Sequence, residues 1–469
     1  MVSESNGTLQ PPQELETFLP SDGSKHKVVS AGKYKVAQDA ESGNDFDPFA
    51  ERNVAHPTTD CDTLTHLLKA SLGTGILAMP VAFKSAGLLM GIFFTLLVAL
   101  ICTHCSYVLV KCAHVLYKKT RVTSMSFSEV SEAAFTHGPK WGRRYAYSSK
   151  ILILICLFIT YFGTCSVYTV IIAKNIQKVI EVYTTQTIDQ RLMIAALLIP
   201  LILLSWIPNL KYLAPVSMVA NVFMGLGLGI TFYYLIRDMP SSLDAFPYVA
   251  DIATWPDFFS ITIFAMEAIG VVMPLENSME TPQHFVGICG VLNKGMGGVT
   301  LVYILLGFLG YITYSDTLEG AITLSLPQDE IPAQVVMIFI AVAVFCTFGL
   351  QFFVCLEIGW DGVKDKFTTR PVLVNYVMRT VLVTAAVLLA IAVPTISPFI
   401  GLIGAFCFSI LGLIIPAIIE IVTYWDVGFG KWNWVVWKNI LVGIFGLFAL
   451  VFGSKNAFSQ ILEIYQPTN

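Results

Sequence analysis

Glu267 stands inside an apolar run, "FAMEAIGVVMPLENSM" (264–279), three residues before Gly270 and seven before Pro274. An ionised carboxylate at the centre of a membrane helix costs about 2.5–3.5 kcal/mol on insertion scales, and protonation removes most of that penalty. A carboxyl placed this way can take up and release a proton; a permanently paired contact between helices is the alternative. His66 opens a second apolar run, "HLLKASLGTGILAMPVAF" (66–83). Its unperturbed pKa of about 6.5 suits a proton switch, against the reading of a hydrogen-bonded histidine near the interface. Lys69 reads as an anchor that snorkels to that interface. Glu276 either contributes to a site or solvates the short helix after Pro274. His104 reads as a helix–helix contact, and Glu357 and Glu420 fall near span ends, where a gate or simple solvation serves. Tyr161, Phe162, Tyr168 and Phe264 line a cavity or pack a core.

Both runs also carry the means to break a helix. The first has Gly73-Thr74-Gly75 and then Pro80; the second has Gly270 and Pro274. Glycine admits backbone angles that other residues resist, and proline removes a donor and displaces an upstream carbonyl. At membrane depth the freed N–H and C=O groups are tolerated only inside protein or beside a wet cavity. Half-helix N-termini face anions such as a carboxylate, and freed carbonyls face cations such as an ammonium. A zwitterionic amino acid matches both. One such run is an ordinary proline kink; two at matching places in two halves point to a transporter site. The expected substrate cradle is Leu72, Gly73, Thr74, Gly75 and Ile76 with Phe264, Glu267 and Gly270. His66 and Glu267 are the expected proton-coupling groups.

These residues need membrane helices to hold them. Of 469 residues, 55% are hydrophobic and only 13% charged, half the charge of an average soluble domain. The apolar residues come in blocks of the length that crosses a hydrocarbon core as a helix. Eleven blocks qualify, at 61–84, 87–113, 146–173, 191–208, 213–236, 257–281, 286–314, 332–359, 374–393, 397–423 and 434–456. The broken blocks are the first and the sixth, so an inverted pair of five-span repeats is expected, 61–236 and 257–423, with 434–456 an extra span. Lys118, Lys119, Arg121, Lys140, Arg143 and Arg144 follow the second block, whereas 315–330 carries acids without Lys or Arg. By the positive-inside rule the N-terminus is cytosolic and the C-terminus extracellular or luminal. Residues 1–60 are polar, poor in aromatics and free of cysteine, the composition of a flexible tail. A near match to an acidic dileucine signal runs from Glu14 to Leu19, and the sequon Asn6-Gly7-Thr8 lies on the side that is not glycosylated. The ten cysteines fall within or beside apolar blocks and read as small buried residues, with no structural disulfide expected.

Six stretches also carry a resemblance: "HLLKASLGTGILAMPVAFKSAGLLMG" (66–91), "VKCAH" (110–114), "FAMEAIGVVMPLEN" (264–277), "GAITLSLP" (320–327), "LQFFVCLEI" (350–358) and "LIIPAIIE" (413–420). In this order they resemble the proton-coupled amino-acid transporters of the amino acid/auxin permease superfamily, over roughly residues 60 to 465. The resemblance implies an all-α, eleven-span, LeuT-like fold with substrate between helices 1 and 6. It implies symport of a proton with a small amino acid at plasma or late endosomal and lysosomal membranes. It maps a first-span histidine linked to coupling onto His66, a backbone cradle onto Leu72 to Ile76, and a sixth-helix glutamate onto Glu267. The sequence departs from many relatives at Ala70-Ser71, where they have Gly-Asn, and at 265–268, where Ala-Met-Glu-Ala replaces Ser-Phe-Glu-Gly. The luminal cysteines that pair in vertebrate relatives have no counterpart in these loops.

The expected function is therefore proton-coupled symport of small neutral amino acids by alternating access, in contact with the lipid bilayer. A receptor that binds amino acids with little flux and signals to cytosolic growth-control partners shares the same site and stays open, as does sodium coupling. No nucleophile–base set or metal-ligand set recurs at useful spacing, so no catalytic residue, metal, cofactor beyond the proton, or nucleic-acid partner is expected.

Overall fold

A backbone in lipid finds no water, so it closes its hydrogen bonds within helices. The computed structural model describes residues 46–54, 57–184, 188–208, 210–266, 268–366 and 370–465, and among these the regular elements are helical. The first span is split into α1 (Asp60–Ser71) and α2 (Met79–Ala86), followed by α3 (Leu88–Thr120), the amphipathic α4 (Phe127–His137) and α5 (Ala146–Tyr183). Then come α6 (Gln190–Ala196), α7 (Leu198–Ser205) and α8 (Leu210–Arg237). The sixth span is split into α9 (Trp255–Met266) and α10 (Ile269–Ser278). The second half continues with α11 (Val291–Tyr314), α12 (Ile331–Asp361) and α13 (Pro371–Ala392). Last are α14 (Ile396–Ile403), joined to α15 (Ile415–Thr423) by a π-helical stretch, and α16 (Trp434–Phe448), joined likewise to α17 (Ser454–Glu463).

Nine of these segments are long and apolar enough to span a membrane, and the bent α1–α2 pair makes ten. The block expected at 191–208 is the exception. Gln190–Ser205 is interrupted at Leu197, and its sixteen residues reach about 24 Å at 1.5 Å per residue, short of a ~30 Å hydrocarbon core. Along α3, Leu89, Phe93, Leu96 and Leu100 are exposed at helical spacing, an apolar stripe suited to lipid.

The half-helices pair like with like: α1 packs on α10, and α2 packs on α9. Helix α11 lies against α1, α2 and α3, while α12 lies against α5 and α8. Two buried apolar clusters result, one around α2 and α9, the other around the inner part of α3, α10 and the start of α11.

The flexible tail expected through residue 60 is corrected at its end. Thr59 caps α1 with a capping box: its hydroxyl accepts from the Asp62 amide at 3.3 Å and the Asp62 carboxylate accepts from the Thr59 amide at 3.2 Å. Thr58 bridges Met279, and Arg52 is buried against Glu276. A sixty-residue average of composition hides one arginine with a buried partner. The cysteine reading is corrected in part too, since Cys61 and Cys289 are exposed and Cys346 is half-buried. The sequon, the Glu14–Leu19 signal and Glu267 lie outside the described residues.

Candidate functional site

The chain leaves α1 at Leu72 (φ −79°, ψ 53°) and runs extended through Gly73 (φ −85°, ψ −160°). A tight 3-10 turn, Thr74–Ala78, then leads into α2, and the two halves meet at 45°. No side chain caps this turn at Gly73, so its first N–H groups lack intrahelical partners. In the sixth span α9 stops at Met266, and α10 starts after the non-helical Ala268 (φ −117°, ψ 2°). At each break the C-terminal end of one helix meets the N-terminal end of the next, where the helical hydrogen-bond ladder stops.

Tyr303 of α11 ties the two breaks together. Its hydroxyl hydrogen-bonds the carbonyl of Ser71, at the end of α1, and that of Ala265, near the end of α9, the latter at 2.9 Å. The side chain is fully buried, so water does not compete for these acceptors. Gly75 sets the approach of the two spans: a Cβ there would stand 2.7 Å from Ala265 Cα and 3.0 Å from its Cβ. Gly270 does the same for Tyr161, whose hydroxyl would be 2.7 Å from an added Cβ. The hydroxyl of Tyr168 on α5 accepts from Gln351 Nε2 of α12 at 3.5 Å. Ser71 and Thr262 place buried hydroxyls beside the breaks that have no partner among the described residues.

Of the expected cradle, Thr74, Gly75, Ile76 and Phe264 are buried together at the break, and Leu72, Gly73 and Gly270 border them. Phe264 packs edge-on against Phe408, with ring centroids 5.7 Å apart. His66 is not brought to this place. It lies on the exposed face of α1 with Lys69, while Leu67 and Ser71 occupy the buried face. Glu276 is fully buried in a set of polar partners, and Glu420 is buried against Lys438 Nζ (2.6 Å) and Asn439 Nδ2 (2.8 Å) instead of being solvated. A cavity of about 550 Å³ lies beside the start of α1, lined by Asp60, Cys61, His284 and Lys294 among others.

Sequence reading missed Tyr303, Gln351 and the buried hydroxyls of Ser71 and Thr262. The signal for Tyr303 was present: a phenol in an otherwise apolar stretch of α11 needs a hydrogen-bond partner when buried.

Two interrupted spans whose breaks are tied side by side through Tyr303 are the means of a substrate carrier. The sequence model of the transmembrane amino acid transporter protein family matches residues 56–459. The chain belongs to this family. It is similar to the proton-coupled amino acid transporter-like protein pathetic of Drosophila melanogaster, at 62% identity over 460 residues, 98% of this chain and 97% of the relative. The probable amino acid transporter skat-1 of Caenorhabditis elegans is 22% identical over 92% of this chain and 97% of its own. Among solved structures, Mhp1, a nucleobase-cation-symport-1 family transporter in a closed conformation with bromovinylhydantoin bound, superposes with a TM-score of 0.52 at 12% identity. It covers 88% of this chain and 95% of that one. The inward-facing conformation of Mhp1 gives 0.50 at 13% identity, over 89% and 92%. At such identity the fold alone is shared, and it is the LeuT-like transporter fold. The family member described here is an amino-acid transporter spanning the membrane several times.

Proposed function

We propose that the chain carries a small neutral amino acid together with a proton, by alternating access, at a plasma or late endosomal and lysosomal membrane. The observation that carries this reading is the pair of breaks joined by Tyr303. An α-carboxylate suits the uncapped amides that start at Gly73 and Thr74, and an α-ammonium suits the carbonyls of Ser71 and Ala265. Gly75 and Phe264 leave little room for a large side chain, which favours small substrates. Glu267 is assigned as the proton carrier from its place in the sequence between Met266 and Ala268. The five-plus-five repeat boundaries, the cytosolic N-terminus and the absence of any cofactor beyond the proton belong to the same proposal, as does His66 as a secondary proton relay.

One proton per cycle is sufficient. A gradient of one pH unit supplies about 1.4 kcal/mol, and 100 mV adds about 2.3 kcal/mol per charge. Together they support a gradient of several-hundred-fold, roughly, in a neutral substrate.

The test is uptake into reconstituted vesicles from a panel of amino acids, with pH and sodium varied separately. Uptake of small neutral amino acids that rises as the outer pH falls, and ignores sodium, is expected. Uptake that follows sodium at fixed pH sinks the proton assignment; binding without flux supports a receptor instead. In the same assay Glu267→Gln is expected to abolish proton-driven uptake while the chain still inserts, and an unchanged pH dependence removes Glu267 from the mechanism.

A further inference from the structure

Glu276, near the C-terminal end of α10, is completely buried, and its side-chain partners come from two separate parts of the chain, the segment before α1 and α3. Arg52, which precedes the first span, places Nη2 3.2 Å from Glu276 Oε1 and donates from Nη1 to the Glu276 carbonyl at 3.0 Å. Its Nε donates to the Thr123 carbonyl in the connection after α3, at 2.8 Å. From α3, His114 Nε2 lies 2.9 Å from Glu276 Oε1, and Tyr117 Oη donates to Oε2 at 3.0 Å. The guanidinium also sits over the rings of Tyr117 (5.4 Å) and Phe49 (5.8 Å), and Phe49 packs edge-on to His114. Next to this knot the backbone of Thr58 donates to the Ser278 carbonyl at 2.8 Å and accepts from the Glu280 amide at 3.0 Å. The Arg52 side chain is only 5% exposed, so the segment before α1 is built into the protein, not resting on it.

We propose that the segment carrying residues 46–54, with Thr58 beside α1, is a strap that holds the tail side of the transport pathway shut. The strap joins the moving parts that lie there. Glu276 belongs to α10, the inner half of the second broken span; His114 and Tyr117 belong to α3; and Thr58 leads directly into α1, the inner half of the first. For a substrate at the breaks to leave on this side, α1 and α10 must part from α3 or from each other. Each such movement separates Arg52 or Thr58 from a partner. Removing one member of a buried charge pair leaves the other uncompensated, so the closed arrangement depends steeply on Arg52. The family match begins at residue 56, so Arg52 and Phe49 lie ahead of the shared transporter core. The strap rests on the alternating-access part of the functional reading but not on the identity of the substrate.

The test uses the full chain reconstituted in sealed lipid vesicles with the N-terminus facing outward, with Thr74→Cys as a reporter at the break. A membrane-impermeant thiol reagent is added to the side bearing the N-terminus. Labelling of residue 74 is followed by mass spectrometry of its peptide, so the exposed Cys61 and Cys289 do not interfere. Slow labelling is expected with Arg52 intact, at least about tenfold faster labelling in Arg52→Ala, and an intermediate rate in Arg52→Lys, which keeps the charge but loses the planar fork. Phe49→Ala, a milder variant, should also speed labelling and covers the case in which Arg52→Ala does not fold. Equal rates in Phe49→Ala and in any folded Arg52 variant overturn the strap. Faster labelling, when the chain with Thr74 intact moves no amino acid in the uptake assay, leaves the strap standing and removes the substrate proposal; normal uptake by that chain with equal labelling does the reverse.

Discussion

Replacing Tyr303 with phenylalanine deletes one oxygen and almost no volume, so it isolates the bridge between the two breaks. In the intact chain that hydroxyl serves the carbonyls of Ser71 and Ala265 inside a fully buried site. One hydroxyl has one proton, so the two acceptors share it, and the loss is that of a single well-placed buried donor. Leaving a buried acceptor unsatisfied costs about 1–3 kcal/mol. If that cost falls on the state that presents both breaks to substrate, uptake at low substrate concentration drops by about 5- to 150-fold. The assay is initial-rate uptake over a range of substrate concentrations, alongside thermal unfolding of the purified variant in detergent. A raised KM and a lower unfolding temperature are expected together, because the same bond orders the site and ties α1, α9 and α11. A Tyr303→Phe chain with normal KM, normal maximal rate and normal stability would refute the claim that the bridge sets the geometry of the breaks.

Gly75→Ala adds a methyl group 2.7 Å from the backbone of Ala265, which cannot swing aside as a flexible side chain would. Overpacking of this kind costs about 1–3 kcal/mol, so uptake should fall by about 5- to 150-fold with surface expression maintained. Gly225→Ala, whose added carbon meets open space on α8, is the control and should transport normally. A second prediction concerns pH. Hydrogen bonds from Arg237 hold the carboxyls of Asp238 and Glu330 below the usual carboxylate range, with Tyr234 adding to the effect on Glu330. A depressed pKa gives stability that is present above the unfolded value, about 4, and is lost as pH falls through the native value. Thermal unfolding measured from pH 7 to pH 3 should therefore show an acid loss that Arg237→Gln flattens, with lower stability for that variant at pH 7. Parallel curves for the two chains would count against the cluster.

How far the sequence could be read follows from what each feature depends on. The spans are one-dimensional: twenty apolar residues and a breaker at each end define them, and ten of the eleven expected blocks correspond to helices of spanning length. The block at 191–208 is apolar enough, but its helix is interrupted at Leu197; Pro200, which has no N–H to give the Ala196 carbonyl, is the breaker that hydropathy alone passes over. The break at Gly73 was legible because glycine states a backbone requirement directly, whereas the one expected at Gly270 and Pro274 is displaced: α10 runs through both, and the helix stops ahead of Ala268 instead. Tyr303, Gln351 and Arg52 were not legible. Each matters through a partner far along the chain, and a tyrosine in an apolar block reads as packing until the acceptor is known. His66 shows the opposite failure of pattern alone: its spacing placed it near the break, but helix phase turns it to the exposed face of α1.

The pairing of the half-helices gives these pieces a mechanical order. Inner α1 packs on inner α10, and outer α2 packs on outer α9, while the segments between them, Leu72–Gly73 and the one around Ala268, are the places where regular hydrogen bonding stops. Rotation at those two points lets the inner pair move without dragging the outer pair. Tyr303 bonds to residues on both sides of that division, Ser71 of inner α1 and Ala265 of outer α9, so it stands at the pivot and need not break when either pair swings. Arg52 bonds at the far end of the inner pair, where a given rotation produces the largest displacement. A contact at the pivot sets the shape of the site, whereas a contact at the tip sets how often one gate opens. Tyr303→Phe should therefore act on KM, and Arg52→Ala on access to residue 74 from the tail side. An Arg52→Ala chain with faster labelling and an unchanged KM in zero-trans exchange would show that the two contacts control separate steps; a KM shift as large as that of Tyr303→Phe would show that the inner pair and the site move as one body.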